Sequence, residues 1–252
     1  MKFIIFLGDG MADYPVPELG NRTPLQVANK PAMDRIAREG RCGRFITVEE
    51  DMPPGSEVAN LTVLGYDPHE CYQGRGVIEA ASMGVNLKES DMAIRCNLIC
   101  LKDGIIKNHS AGHISSEEAA ELIRFLDTKL GRSGVRFYPG VSYRHLLVVE
   151  NGSAELDCAP PHDHVGERAL DLLVKPRSET ARPTAELLNR LILESWKLLP
   201  THPVNIKRVN EGKDPANSVW FWSPGHKPRM KTFRELYGLT GAVISAVDLV
   251  RG

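Results

Sequence analysis

A carboxylate and a serine, each beside glycine, are the residues of this chain whose surroundings suggest chemistry. Asp9 stands between two glycines, directly after the apolar run 2–7. Ser56 follows Gly55 and begins a segment with the character of a helix start. A divalent cation can activate a hydroxyl for attack on phosphorus, and a helix N-terminus binds phosphoryl oxygens. Together, Asp9 and Ser56 therefore suggest metal-assisted phosphoryl transfer.

Taken separately, each of these residues also has an ordinary structural interpretation. Gly-Asp-Gly is common in turns, so Asp9 could simply end a strand. Ser56 could be a helix N-cap, with Glu57 as an acid in the first helical turn. The sequence thus favours the pair as a candidate site more strongly than it favours either residue.

Arginines and histidines in the middle of the chain could bind an anionic substrate. Arg75 lies between two glycines, and two further arginines interrupt apolar segments that resemble strands. Because guanidinium groups bind phosphate and carboxylate through paired hydrogen bonds, such a set would suit a small substrate with both groups. Exposure to solvent is the ordinary alternative for these charges. The candidate substrate-binding residues are Arg75, Arg95, His113, Arg144 and His145.

Two other groups of residues have weaker signals. The sequence His162-Asp163-His164 could converge on a cation, although short clusters of this kind are usually solvated. The five cysteines show no Cys-x-x-Cys spacing, which indicates free thiols and a cytoplasmic location.

Composition excludes several classes of partner. The chain has 252 residues, 42% hydrophobic and 25% charged, with a formal net charge of −1. This near-neutral charge gives no general attraction to nucleic acid, and the apolar runs are too short to span a membrane. We therefore expect a small-molecule substrate, and the oligomeric state stays open.

The order of predicted elements indicates an α/β protein with an inserted α+β domain. Buried strands are predicted at 2–7, 43–48 and 241–247, with helices at 31–39, 184–199 and 231–237. Between them, a Ser115 capping box opens an amphipathic helix that lies between two strand pairs, giving a ββαββ block. We predict domain parts at 1–85 and 181–252 around an insert at 86–180.

Ordered motifs along nearly the whole chain resemble a known family. They include Gly8-Asp9-Gly10, Pro54-Gly55-Ser56-Glu57, Gly74-Arg75-Gly76, Arg95-Cys96-Asn97 and Tyr143-Arg144-His145. In these segments the sequence resembles the cofactor-independent phosphoglycerate mutases of the archaeal type, within the alkaline phosphatase superfamily. The resemblance implies an alkaline-phosphatase-like domain with a parallel or mixed sheet and the inserted domain.

The resemblance also implies a reaction and a set of roles. Ser56 would be the nucleophile that is phosphorylated, and Asp9 and Ser56 would ligate one of two Mn²⁺ or Mg²⁺ ions. The inserted domain would reorient glycerate, so that phosphate leaves the 3-position and returns to the 2-position. No 2,3-bisphosphoglycerate would be needed for this glycolytic isomerase.

Two departures from the family pattern limit these expectations. The family's usual Arg-Ala-Gly-Arg is replaced by Ser110-Ala111-Gly112-His113. The family's other metal ligands lie beyond the last residue of this sequence, so we expect an inactive N-terminal portion. Two alternatives stay open: a phosphotransferase on another small substrate such as homoserine, and a non-catalytic binding protein.

Overall fold

The computed structural model describes residues 2–245. The chain divides into two compact units, Met1–Ile46 and Thr47–Gly252, which we call the N-terminal unit and the sheet unit.

Short and medium-length helices occur in both units. In chain order the α-helices are α1 (Pro24–Val27), α2 (Pro31–Glu39), α3 (Ser56–Val63), α4 (Pro68–Cys71), α5 (Arg75–Ser82), α6 (Ser116–Leu130), α7 (Arg182–Leu198), α8 (Pro203–Asn210) and α9 (Phe233–Tyr237). Short 3-10 helices occupy Pro17–Leu19, Ala169–Leu172, Glu179–Ala181 and Leu199–Thr201. No helix within residues 2–245 is long and apolar enough to cross a membrane.

All the strands of the described residues lie in the sheet unit. They are β1 (Met92–Lys102), β2 (Ile105–Asn108), β3 (Val135–Tyr138), β4 (Arg144–Val149), β5 (Leu156–Asp157), β6 (Lys175–Pro176) and β7 (Ser218–His226).

The helices of the N-terminal unit begin where local sequence signals predict. Proline at the first helical position opens both α1 and α2, since proline has no N–H to lose there. Thr23 and Gln26 form a capping box at α1, and Gly40 follows α2. The helix predicted at 31–39 is confirmed.

The strands predicted at 2–7 and 43–48 are wrong, because neither segment has strand structure. The side chains from Phe3 to Leu7 are all exposed. A strand needs a neighbour to pair its backbone groups, and neither segment pairs with another within the described residues. Of the strand predicted at 241–247, residues 241–245 are also not strand, and 246–247 lie outside the described residues.

Strand β1 organises the main sheet, whose pairings are all antiparallel. The strand order is β2-β1-β4-β3, with β7 also paired to β1. Over Met92–Asn97, β1 has β4 on one side and β7 on the other, and β2 pairs with its far end. The first nine residues of β1 are buried as a result. A separate small ladder joins β5 and β6.

The two faces of β1 contact different layers, as the two-residue period of a strand requires. Met92, Ile94, Cys96 and Leu98 belong to the main hydrophobic core, to which α6 and α7 also contribute. On the other face, Ala93 belongs to a smaller cluster to which α5 contributes Val77 and Ala80, and β4 contributes Leu146 and Val148. This second face also contains the charged residues considered below.

The ββαββ block is confirmed as β1, β2, α6, β3 and β4. The Ser115 hydroxyl accepts a hydrogen bond from the Glu118 N–H, and α6 buries one apolar stripe. The α/β class is confirmed as well, but the parallel or mixed sheet expected with it is not: every strand ladder within residues 2–245 is antiparallel, since the strands of the main sheet are joined through β1 rather than by parallel crossovers. The domain bounds at 85 and 180 stay a prediction; β7, which comes after residue 180, pairs with β1 in the same sheet.

Candidate active site

Ser56 occupies the first position of helix α3. The N-cap residue of this helix is Gly55, which has an extended backbone conformation. The interpretation of Ser56 as the N-cap is therefore wrong. At this position Ser56 lies among the N–H groups that an α-helix leaves unpaired at its start. These groups and the helix dipole favour an anionic group beside the serine.

Glu57 and Arg75 form a clamp directly after the serine. The buried Glu57 carboxylate accepts bonds from Arg75 Nε at 2.7 Å and Arg75 Nη2 at 3.2 Å. The Tyr72 hydroxyl lies 3.4 Å from the same carboxylate. A Cβ on Gly55 would come within 2.6 Å of the Glu57 carboxylate, so a larger residue there would require that carboxylate to shift. Burial lowers the pKa of Arg75, but the Glu57 hydrogen bond and charge raise it above its usual value.

The glycines around Arg75 allow helix α5 to approach the sheet closely. A Cβ on Gly74 would lie 2.4 Å from the Pro224 carbonyl oxygen, and one on Gly76 would lie 2.6 Å from that of Ala93. The Arg75 N–H also donates to the Ser223 hydroxyl at 2.8 Å. The Gly-Arg-Gly segment is therefore a docking motif that fixes the base of the Arg75 side chain against β1 and β7.

Arg95 is the most deeply buried of the three predicted arginines. Its guanidinium lies 3.0 Å from a Glu79 carboxylate oxygen, and Glu79 is one α-helical turn after Arg75. Burial lowers the pKa of Arg95, and the charge of Glu79 opposes this shift. The cross-strand partner of Arg95 is Trp222, whose ring centroid is 4.9 Å from the guanidinium carbon.

Trp222 brings the arginines together. The Arg75 guanidinium carbon lies 5.4 Å from the Trp222 ring centroid, so both guanidiniums contact one indole. Arg144 is paired with Asn97 on the neighbouring strand, and its charge contributes to the lowered pKa of Arg95. We call Arg75, Arg95, Arg144 and Trp222 the arginine face.

Two histidines and a tyrosine border the arginine face. The His162 ring lies 5.1 Å from that of Trp222, and His109 lies 6.1 Å from His162 and 5.8 Å from Tyr143. The Arg144 guanidinium is 5.8 Å from the Tyr143 ring. Burial, with smaller contributions from the other histidines, lowers the pKa of His109. A neutral His109 can accept as well as donate a hydrogen bond.

The remaining predicted substrate residues lie apart from this face. His145 pairs with Cys96, whose side chain is in the main core. The His145 side chain therefore lies on the opposite face of the sheet from those of Arg95 and Arg144. It is fully buried and accepts a bond from the Gly140 N–H at 3.0 Å. Burial lowers its pKa to about 3. His113 is exposed, with a left-handed backbone conformation (φ 53°).

The predicted pairing of Asp9 with Ser56 stays a prediction, because Asp9 is in the N-terminal unit and Ser56 in the sheet unit. Within residues 2–245, three ligating side chains come together only at Glu49, Asp51 and His69, whose ligand atoms lie within 4.8 Å of one another. This exposed group was missed from the sequence. The predicted His162-Asp163-His164 cluster forms no such group among the described residues.

The sequence reasoning also missed the partners of the arginines. Glu57 was read only as a favourable first-turn acid, although it immediately follows Ser56. The spacing of Glu79, four residues after Arg75 on a helix, suggests a partner for Arg75, whereas its ion pair with Arg95 depends on the packing of α5 against β1. Trp222 had none, because its proximity to Arg75 depends on the pairing of β7 with β1.

The family model described as 2,3-bisphosphoglycerate-independent phosphoglycerate mutase matches residues 37–205. The chain belongs to this family. A relative from Methanosarcina acetivorans with the same description is 56% identical over 253 residues, covering 100% of this chain and 62% of the relative. The chain thus spans less than two thirds of that relative's length.

Two solved structures share the fold. A Pyrococcus horikoshii protein superposes with a TM-score of 0.74 at 28% identity, covering 96% of this chain and 56% of that one. The cofactor-independent phosphoglycerate mutase from Thermoplasma acidophilum gives a TM-score of 0.60 at 29% identity, covering 96% and 64%. The expected relation to alkaline-phosphatase-like mutases is therefore confirmed at the level of the fold.

Proposed function

We propose that this chain provides the phosphorylated serine and the substrate-binding face of a phosphoglycerate mutase that interconverts 3-phosphoglycerate and 2-phosphoglycerate. The observation that supports it most directly is a series of contacts. Glu57 follows Ser56 at the start of α3, its carboxylate binds Arg75, and Arg75 contacts the Trp222 ring. This series connects the serine to the cluster of guanidiniums. Family membership supplies the reaction.

In the proposed reaction, Ser56 Oγ attacks the phosphorus of 3-phosphoglycerate. The bond between phosphorus and O3 breaks, the serine loses its proton, and O3 gains one, leaving glycerate and phosphoserine. After glycerate reorients, its 2-hydroxyl attacks the phosphoserine, the bond between phosphorus and Ser56 Oγ breaks, Oγ regains a proton as the 2-hydroxyl loses one, and 2-phosphoglycerate leaves. The N–H groups at the start of α3 would bind the phosphoryl oxygens, and the arginine face would retain glycerate between the two steps.

The two-ion site expected from the family does not fit the ligand sets of the described residues. No group of three ligating side chains within residues 2–245 includes Asp9. Two adjacent ions need several carboxylate and imidazole ligands. We therefore derive no step through a metal, and we propose that turnover needs ligands in addition to those of residues 2–245. Mn²⁺ or Mg²⁺ binding by Asp9 and Ser56 stays a proposal.

A chimaera tests this function. This chain replaces the 253 aligned residues of the Methanosarcina acetivorans relative, and 2-phosphoglycerate formation is followed with enolase in the presence of Mn²⁺. We expect turnover by the chimaera, phosphate on Ser56 by mass spectrometry, and no turnover by the 252-residue chain alone. Ser56→Ala should abolish both signals, whereas the matched variant Ser82→Ala should retain them.

Failure of a cooperatively folded chimaera to form 2-phosphoglycerate would contradict the proposal. ATP-dependent phosphorylation of homoserine by the same protein would favour the kinase alternative instead. We also propose a cytoplasmic location, as expected for a glycolytic isomerase. The five free cysteines support this placement.

A further inference from the structure

Three buried polar atoms on one face of the main sheet have no hydrogen-bond partner among the residues that the structure describes. They are Arg95 Nε, Asn97 Oδ1 and Trp222 Nε1. Arg95 and Asn97 are two apart on β1, and Trp222 is the partner of Arg95 on β7, so the three share a face. These residues are 7%, 1% and 6% exposed. Leaving such an atom unpaired costs about 1–3 kcal/mol, so three together indicate a site.

The chemistry of the three atoms defines a ligand. Arg95 Nε and Trp222 Nε1 can only donate hydrogen bonds, whereas Asn97 Oδ1 can only accept. A ligand that satisfies all three must therefore offer acceptors for two N–H groups and a donor for one oxygen. A 2-hydroxy acid does so, with its carboxylate as acceptor and its hydroxyl as donor. The dianion of a phosphate monoester offers acceptors alone, and inorganic phosphate, although it has an O–H, lacks the carboxylate with a neighbouring hydroxyl.

The charge around these atoms favours an anion. Arg75 is paired with Glu57, and Arg95 with Glu79. Arg144 adds a third guanidinium on the same face, since it is paired with Asn97 across the strands. Three guanidiniums and two carboxylates leave one formal positive charge on this face.

A series of contacts connects the three atoms to Ser56. Glu57 follows Ser56 and clamps Arg75, which contacts the Trp222 ring. Arg75 and His162 lie next to Trp222, with side chains 30% and 42% exposed. Because the three atoms are buried, a ligand can reach them only if neighbouring side chains move.

We propose that Arg95, Asn97 and Trp222 form the subsite for the carboxylate and hydroxyl of a 2-hydroxy acid, the glycerate part of the substrate. The Trp222 indole N–H and Arg95 Nε–H donate to the carboxylate, and the hydroxyl donates to Asn97 Oδ1. This assignment rests on the proposed function, because that function supplies glycerate as the ligand.

The tryptophan indole N–H resonances of the ¹⁵N-labelled chain test the subsite. The chain has three tryptophans, and two are already paired. Trp196 Nε1 donates to the Ser218 hydroxyl at 2.7 Å, and Trp220 Nε1 donates to the Ala159 carbonyl at 2.8 Å. On addition of 3-phosphoglycerate or D-glycerate, we expect the Trp222 resonance to move and the other two to stay. Inorganic phosphate should leave all three in place.

Calorimetry on a matched pair of variants gives the magnitude. Trp222→Phe keeps an aromatic ring beside the arginines and removes the N–H donor together with one ring of the indole, and it also assigns the resonance. Because a hydrogen bond to a charged group contributes about 1.5–3 kcal/mol, the affinity for 3-phosphoglycerate should fall about ten-fold or more. Trp196→Phe should leave that affinity unchanged.

The outcomes separate the subsite from the proposed function. Calorimetric binding of 3-phosphoglycerate with an unmoved Trp222 resonance would overturn the subsite and leave the function intact. Movement of that resonance with D-glycerate, but no binding of 3-phosphoglycerate, would support the subsite and contradict the function. A response to phosphate alone, or to none of the three probes, would overturn the subsite.

Discussion

The apolar run 2–7 and strand β1 have similar composition but opposite environments. Ile4 and Phe6 are 75% and 90% exposed, whereas Ile94 and Leu98 are fully buried. The difference lies in their neighbours. β1 has β4 and β7 alongside and hydrophobic clusters on both faces, whereas 2–7 pairs with no other segment of the described residues. An apolar segment therefore favours burial, but it becomes buried only where other segments of the chain pack against it.

Local helix signals work equally well in the two regions. A capping box starts α1 in the N-terminal unit, and a serine cap starts α6 in the sheet unit. Capping depends on residues within one turn, so it does not need a partner from elsewhere in the chain. The contrast between the regions is thus one of long-range packing, and paired substitutions in the two units test it.

The largest expected difference concerns ion pairs. Arg208 in the sheet unit is 3% exposed and donates to Glu118 Oε2 at 2.6 Å and to the Ala111 carbonyl at 2.7 Å. Lys30 in the N-terminal unit pairs with Asp34 near the surface at 3.0 Å. Arg208→Met should lower the free energy of unfolding by about 3–5 kcal/mol, because it leaves the partly buried Glu118 carboxylate and the buried Ala111 carbonyl without their partner. Lys30→Met should change it by about 0.5 kcal/mol or less.

Urea unfolding followed by circular dichroism measures both variants. Equal effects of Arg208→Met and Lys30→Met would contradict the contrast between a packed sheet unit and a less packed N-terminal unit.

A leucine pair tests the same contrast without charge. Leu98 is fully buried in the main core, and Leu7 is half-exposed. Leu98→Ala removes buried methyl groups and leaves a cavity, so it should lower the free energy of unfolding by about 2–5 kcal/mol. Leu7→Ala should cost about 0.5 kcal/mol. A cost for Leu7→Ala that matched the cost for Leu98→Ala would mean that the segment 2–7 is packed in solution.

The smallest effect is a pH dependence from the buried His145. Its folded-state pKa of about 3 lies below the ordinary value of 6.5, so the unfolded chain binds this proton more readily. The corresponding stability is therefore complete above about pH 6.5 and is lost as the pH falls towards 3. At about 1.4 kcal/mol per pH unit, wild type should lose about 2–3 kcal/mol between pH 6.5 and 4.5 through this residue.

His145→Gln has no such proton and should lose less stability over that range, although it starts lower at neutral pH. The exposed His113→Asn serves as the control and should follow wild type. Parallel pH profiles of the free energy of unfolding for wild type and His145→Gln would refute the assignment.

Sequence reasoning recovered the candidate site only in part. It identified Arg75, Arg95 and Arg144, which the structure brings to one face, because charges in apolar segments stand out in a sequence. It also proposed His145, which the strand register instead directs towards the main core. Asp9 as the partner of Ser56 stays a prediction.

The sequence by itself determined the local structure of this protein. The Ser115 cap starts α6, the Asp103-Gly104 turn joins β1 to β2, and Gly40 follows α2. Only the tertiary structure decided which strands pair, which apolar run is buried, and that Trp222 lies between Arg75 and Arg95. The reason is physical: caps and turns depend on bonds within a few residues, whereas register and burial depend on segments far apart in the chain.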